Sequence, residues 1–274
     1  CGIMFGIGAA TKWICIYSAL GLAVILAYVW IKSFIKSINS EDGHNYTGKL
    51  TKTILWCVLF FVVVPIAIYC ASYIPQIRYD LHGRTPLGYI WQNQKYMLSY
   101  HEGVTETHPY SSKWYEWGVM KKPLWAYINS ELKNISTKGG GKIISSISSF
   151  GNPAVWWGGL LALTGTLYFG IRKRSRIAFL ILTGYLSQLV PWIFVGRVLF
   201  IYHYFACVPF MVLGIAYCLK ALKERYGIDN KYIYGYCGLT IALFIMFYPV
   251  ISGMPVSSIY VNYLKWFSGW VFMN

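Results

Sequence analysis

The sequence predicts an all-α integral membrane protein: a multi-span helical bundle of six complete spans plus a partial N-terminal helix, with one long polar loop. Three observations predict it. The 274-residue chain is 57% hydrophobic and only 12% charged, against about 25% charged residues in a soluble domain. Its mean hydropathy is +0.47. The apolar residues gather into runs at about 14–31, 53–75, 152–170, 177–195, 199–219 and 232–252, each near the ~20 residues that cross a bilayer as a helix.

Taken in order, the chain opens CGIMFGIGAATKW, apolar from its first residues. A signal peptide would carry a charged leader and a small-residue cleavage site, and this run is not expected to be one. It reads as a partial helix ending at Lys12-Trp13, and the chain as a C-terminal fragment. Residues 1–75 then hold this piece and two spans. Residues 76–150 form a polar, aromatic-dense loop. Residues 151–274 hold four spans and a tail. Pro191 and Gly196 mark the break between the runs at 177–195 and 199–219, which would otherwise merge into one overlong helix.

The charge is +15, from 24 Lys and Arg against 9 Asp and Glu. In a soluble protein such a balance would suggest nucleic acid as the partner. Here the basic residues cluster between apolar spans, so they report membrane orientation, and no nucleic acid is expected. Lys32, Lys36, Lys49 and Lys52 flank one connection, Arg172, Lys173, Arg174 and Arg176 form a second, and Lys220, Lys223, Arg225 and Lys231 mark a third. Parity puts all three on one side, the cytoplasmic side by the positive-inside rule. The loop 76–150, the turn at Gly196-Arg197 and the tail from Ser252 then face outward. The seven cysteines lie in apolar stretches without a Cys-x-x-Cys pair, as small hydrophobes rather than ligands or disulfides. No histidine pair has metal-binding helical spacing.

The loop carries the chemistry. Trp91, Trp114, Trp117, Trp125 and several tyrosines supply flat faces for the C–H face of a sugar, and Gln92, Asn93 and Gln94 can bond its hydroxyls. The competing reading is an interfacial aromatic belt. His101 and His108 titrate near neutrality and suit proton transfer, although a lone loop histidine is more often a structural hydrogen-bonder. Asp80, Glu102, Glu106, Glu116 and Glu131 are the outer carboxylates; one of them as a base competes with all of them as solvated charges. Arg197 differs in kind. A charge in a tight turn near hydrocarbon is expensive and points to an anionic partner. A lipid phosphate fits the guanidinium fork, with Tyr202, His203 and Tyr204 within a turn of helix to line the same site. Snorkelling to ordinary headgroups is the plainer alternative. Lys12, at the outer end of a helix, has the same two readings.

Six strings resemble one family: ATKW at 10–13, WQNQKYMLSYHEG at 91–103, THPYSSKWYEW at 107–117, the KKPLWAY stretch, GNPAVWW at 151–157 and GRVLFIYHYFACVPF at 196–210. In this order they resemble the protein O-mannosyltransferases, multi-spanning glycosyltransferases of the GT-C type that use polyprenyl or dolichyl phosphate mannose. The closing YLKWFSGWVF is similar to bacterial members, whose outer loop lacks the inserted domain of eukaryotic ones.

The resemblance implies transfer of mannose, with inversion, from a polyprenyl-phosphate carrier to Ser or Thr hydroxyls of exported proteins. The lipid-phosphate mannose is a donor substrate, and no cofactor is implied. Substrate-binding residues are expected among Gln94, His101, His108, Pro109, Tyr110, Trp114 and Trp117, and lipid-phosphate contacts among Arg197, Tyr202, His203, Tyr204 and Lys12. The family's catalytic Asp-Glu pair has no counterpart here. Glu41-Asp42 is reversed and on the cytoplasmic side, so no catalytic base is assigned, and the fragment is expected to be inactive alone. Expected partners are membrane lipid, the mannosylated carrier, acceptor proteins and the secretion machinery. The location expected is the bacterial plasma membrane, or the endoplasmic reticulum membrane in a eukaryote. Two alternatives are a non-catalytic lipid-phosphate-binding subunit and a transporter or flippase. The second is disfavoured because no Asp or Glu lies in a predicted span.

Overall fold

A computed structural model describes residues 1–38, 46–79, 81–103, 107–132, 135–136 and 141–273. Glu41, Asp42, Asp80 and Glu106, and the side chains of His101 and Glu102, lie outside the described residues. Six helical segments are long and apolar enough to cross a membrane: Trp13–Ile38, Tyr46–Tyr79, Pro153–Lys173, Arg176–Phe194, Ile201–Tyr226 and Asn230–Ser252. Each overlaps one of the runs predicted from sequence. The chain forms two compact units, Cys1–Val104 and Thr105–Asn274.

In the first unit, α1 (Gly2–Thr11) is followed by an extended residue, Lys12, and a short 3-10 turn that leads into α2 (Tyr17–Ile38). The second span is not uniform. α3 (Tyr46–Val58) passes into a wide π turn at Leu59–Val63 before α4 (Val64–Ser72) and α5 (Ile74–Tyr79). Pro65 is the cause: proline has no N–H to donate and its ring crowds the carbonyl one turn back, so the ladder widens just before it. Gly2 and Gly6 let α1 approach this same stretch. A Cβ on Gly2 would stand 2.0 Å from the Phe60 carbonyl oxygen, and one on Gly6 would stand 2.9 Å from Pro65 Cα.

The segment read as a loop from 76 contains an 18-residue helix, α6 (Pro86–Gly103), which packs with the first unit. Pro86 opens it at a position where a missing N–H costs nothing.

In the second unit, a short helix α7 (Trp114–Trp117) precedes β1 (Leu124–Ile128), β2 (Ile143–Ile144) and β3 (Ser146–Ser149). β1 pairs antiparallel with β3, with a bulge between Trp125 and Tyr127, while β2 pairs with β4 (Val256–Ser257) in the tail. The four spans follow: α8 (Pro153–Lys173), α9 (Arg176–Leu189), α10 (Val208–Tyr226) and α11 (Asn230–Ser252), with α12 (Ser258–Leu264) beyond them. Local sequence sets their ends. Asn152 caps α8 by accepting the Ala154 and Val155 N–H groups at 3.0 and 3.4 Å, and its own amide donates to Thr240 O at 2.8 Å. Ser175 caps α9 and Asp229 caps α11 in the same way. α8 and α10 come close because small residues on one helix admit side chains of the other: a Cβ on Gly159 would meet Met211 at 2.7 Å, one on Gly165 would meet Cys218 at 2.7 Å, and one on Gly214 would meet Thr166 Oγ1 at 3.4 Å.

The tail from Ser252 is part of the core of this unit. Trp270 and Phe272 are fully buried. The Trp270 indole N–H donates to Met120 O at 2.7 Å, and Phe150 packs edge-on against Trp270 with centroids 4.6 Å apart. Gly269 permits this closure, since a Cβ there would stand 2.3 Å from Lys121 O.

Candidate functional site

Two stretches of the second unit meet to form an aromatic layer at the end of the bundle opposite its basic turns. The Ser112 N–H donates to Leu199 O at 2.9 Å, which lays HPYSS along the Val195–Phe200 connection that carries Arg197. Pro191 and Gly196 do interrupt the helices there. A 3-10 turn at Val190–Phe194 ends in extended chain, and a second at Ile201–Cys207 leads into α10.

A stack of rings runs inward from this seam. Phe200 lies over Tyr202 with centroids 5.8 Å apart, Tyr202 over His203 at 4.2 Å, and His203 over Trp117 at 5.9 Å. Trp192 closes edge-on against His203 at 4.3 Å and against Trp117 at 5.7 Å. Beneath them the Tyr204 and Tyr185 hydroxyls are 2.8 Å apart. The Trp117 indole N–H reaches the Ser112 hydroxyl at 3.1 Å, and its carbonyl accepts the Trp156 N–H at 2.9 Å.

This arrangement separates residues that the sequence groups together. Trp117 is 0% exposed, Tyr204 1% and His203 3%. Their faces and polar atoms are committed within the fold, so Trp117 offers no open ring for a sugar. Tyr202 stays half-buried at the rim. Tyr202 stacks on His203 at the rim, whereas the Tyr204 hydroxyl is turned to Tyr185, so the three side chains do not line one open site.

The open part of the layer holds His108, Pro109, Tyr110, Trp114 and Arg197. His108 and Pro109 are exposed; Tyr110, Trp114 and Arg197 are half-buried. His108 Nδ1 accepts the Tyr110 N–H at 3.2 Å, and its ring meets Phe200 edge-on at 5.1 Å. Tyr110 in turn packs edge-on to Trp125 at 5.7 Å. The Trp125 indole N–H is buried and has no hydrogen-bond partner among the described residues. A buried donor of this kind is uncommon, and a hydroxyl oxygen would satisfy it. Arg197 likewise has no hydrogen-bond or ion-pair partner among the described residues.

Glu116 is engaged. Partial burial pushes its carboxyl up, but the Lys121 ammonium at 2.6 Å, the Lys113 N–H at 2.9 Å and the Lys122 charge together hold it below the ordinary carboxylate range. A carboxylate so stabilised is a poor proton acceptor. Beside it a cavity of about 500 Å³ is lined by Lys121, Lys122, Trp157 and Phe267. Sequence reading treats KKPLW only as a motif and misses this cavity, whose other wall comes from the tail; the signal available was two adjacent lysines directly after the aromatic string.

The remaining predicted site residues lie in the first unit. Gln94 sits on α6, where its Oε1 accepts from the Tyr69 hydroxyl at 2.8 Å and its Nε2 donates to the Tyr73 hydroxyl at 2.9 Å. It fastens α6 to α4 and to the residue after it. Lys12 is exposed at the break between α1 and α2. His101 lies on α6.

Residues 86–270 match the family described as the C-terminal four TMM region of protein-O-mannosyltransferase. The chain belongs to this family. Among curated relatives, a polyprenol-phosphate-mannose–protein mannosyltransferase of Mycolicibacterium smegmatis is 24% identical, over 98% of this chain and 57% of that protein. Its counterpart in Mycobacterium tuberculosis is 25% identical over 98% of this chain and 56% of its own length. A dolichyl-phosphate-mannose–protein mannosyltransferase of Candida albicans is 24% identical over 65% of this chain and 27% of its own. This chain thus spans little more than half the length of the bacterial relatives. The fold is similar to that in the structure of the S. cerevisiae Pmt1-Pmt2 complex bound to the sugar donor, with a TM-score of 0.54 and 15% identity over 70% of this chain and 28% of that one. Membership in the O-mannosyltransferase family fits the bundle of four spans and the aromatic layer upon it.

Proposed function

We propose that this chain supplies the carrier-binding and acceptor-facing part of an enzyme that moves mannose from a polyprenyl-phosphate carrier to Ser or Thr hydroxyls of exported proteins. The observation that carries the reading is the half-buried Arg197, without a protein partner among the described residues, on a connection hydrogen-bonded to the HPYSS segment. A guanidinium near the membrane surface suits the phosphate that must leave. The apolar spans beside it suit a polyprenyl tail.

His108, Tyr110, Trp114 and the unsatisfied Trp125 N–H then flank the sugar or the acceptor. Tyr202 borders the phosphate. The hydroxyl proton needs a base. The paired Glu116 is unsuited to it, and no base is assigned among the described residues. By the positive-inside rule the aromatic layer faces the extracytoplasmic side of a bacterial plasma membrane.

The test is transfer of radiolabelled mannose from polyprenyl phosphate mannose to a Ser/Thr-rich peptide by membranes containing the full-length protein. Transfer that is lost in a Tyr110→Phe, Trp114→Ala double variant supports the reading. A full-length protein that binds the carrier but transfers no mannose would replace it with a non-catalytic binding role.

A further inference from the structure

The opposite end of the four-span unit carries a different feature. Arg172, Lys173, Arg174 and Arg176 form the turn between α8 and α9, and Lys220, Lys223, Arg225 and Lys231 flank the turn between α10 and α11. The two turns adjoin, because Lys173 Nζ reaches Glu224 at 3.1 Å. Glu224 and Asp229 are the acids there, so eight cations face two anions and the patch carries a net charge of +6. Both acids are already paired, Glu224 with Lys173 and Asp229 with Lys231 at 3.7 Å. Arg174, held at a left-handed φ of 47°, and Arg176 are exposed and have no ion-pair partner among the described residues. Three rings steady other cations: Arg172 lies 5.5 Å from the Tyr168 centroid, Arg225 5.4 Å from Tyr226 and Lys231 5.4 Å from Tyr232.

An apolar groove of about 300 Å³ lies between α8, α10 and α11. Gly158, Ala162 and Gly165 form its floor on α8, Leu219 and Leu222 its wall on α10, and Tyr236 the facing side on α11. Phe169 on α8 and Leu222 on α10 line it within one helical turn of Arg172 and Lys223, on the part of these helices that leads to the cations.

We propose that this groove and patch bind a membrane phospholipid with an anionic phosphodiester headgroup, the phosphate on the two basic turns and one acyl chain between α8, α10 and α11. The shape suits a chain, and the charge selects the headgroup. This site lies at the other end of the helices from Arg197 and does not depend on mannosyl transfer. Each basic residue close to an anionic lipid contributes about fivefold in affinity.

The experiment is native mass spectrometry of the detergent-purified protein titrated with phosphatidylglycerol or with phosphatidylcholine of identical chains. Wild type should retain phosphatidylglycerol at least about tenfold more strongly, with the preference falling as ammonium acetate is raised. The double variant Arg174→Gln, Arg176→Gln should lose at least about tenfold of that preference. Leu219→Trp, which fills the groove, should weaken retention of both lipids, while Leu213→Trp on the exposed face of α10 should not. Equal retention of the two lipids by wild type, an unchanged preference in the arginine variant, or unchanged retention in Leu219→Trp would each overturn the proposal. If Leu219→Trp does not fold, the arginine variant still decides it.

Discussion

Replacing Gly269 with alanine tests how the tail closes on the aromatic layer. The added Cβ would stand 2.3 Å from Lys121 O and 3.5 Å from its carbonyl carbon. The obstacle is backbone, which no side-chain rotation relieves, so the tail has to retreat by about 1 Å. That movement breaks the 2.7 Å bond from the Trp270 indole to Met120 O and leaves a buried donor unpaired. It also withdraws Trp270, 0% exposed, from Phe150 and Phe247. Overpacking of this sort costs about 1–3 kcal/mol and loss of the hydrogen bond about 1 kcal/mol. A combined 2–4 kcal/mol corresponds to a fall of roughly 4–10 °C in unfolding temperature. Thermal unfolding of the purified protein in detergent, followed by tryptophan fluorescence, measures it. An unfolding temperature within about 1 °C of wild type would refute the close approach and the role of the tail as core.

Asn152→Ala removes two bonds to the first turn of α8 and one to Thr240 O, and should cost about 1–2 kcal/mol in the same assay, whereas Asn152→Asp, which keeps the cap alone, should cost less. Trp117→Ala should lower the unfolding temperature strongly, since removal of a buried tryptophan costs about 3–5 kcal/mol. Trp114→Ala, half-buried at the open rim, should leave stability nearly unchanged and reduce transfer by the full-length enzyme several-fold to about tenfold. Against the upward push of partial burial, the Glu116 carboxyl is held below its ordinary unfolded value by the Lys121 ammonium and the Lys113 N–H. Its contribution is therefore full above the unfolded value and disappears as pH falls through the lower folded value. The stability difference between wild type and Glu116→Gln should accordingly be constant at neutral pH and close in acid.

The six spans were legible because hydropathy and length alone decide whether a helix can cross a bilayer. The break near Pro191 and Gly196 was legible for a local reason, the missing proline N–H. α6 was not. Its sequence PLGYIWQNQKYMLSYHEG mixes polar and aromatic residues around the whole helix, and its half-buried Gln94 is satisfied by two tyrosines from another element. β1 and β3 left a trace in the alternation of Ser and Ile in SISS, but pairing across a separation of about 20 residues is a tertiary fact. At the site, Arg197 stood out by charge and place, and the structure leaves it without a partner among the described residues. Trp117 and Trp114 look alike in KWYEW, yet one is sealed beneath His203 and Trp192 and the other sits at the rim. Only the packing of two distant stretches separates them. The burial of Trp270 had the same origin: a tail rich in aromatics reads as interfacial until the layer it covers is known.

The central claim is that Arg197 holds the phosphate of the lipid carrier, and the direct measurement is equilibrium binding of polyprenyl phosphate mannose to the full-length protein in nanodiscs. A charged hydrogen bond is worth about 1.5–3 kcal/mol, or roughly tenfold to over a hundredfold in affinity. Arg197→Gln should lose that much, and Arg197→Lys, which keeps the charge without the planar fork, should fall between. Equal affinity for wild type and Arg197→Gln would contradict the claim and leave Arg197 an anchor to ordinary headgroups.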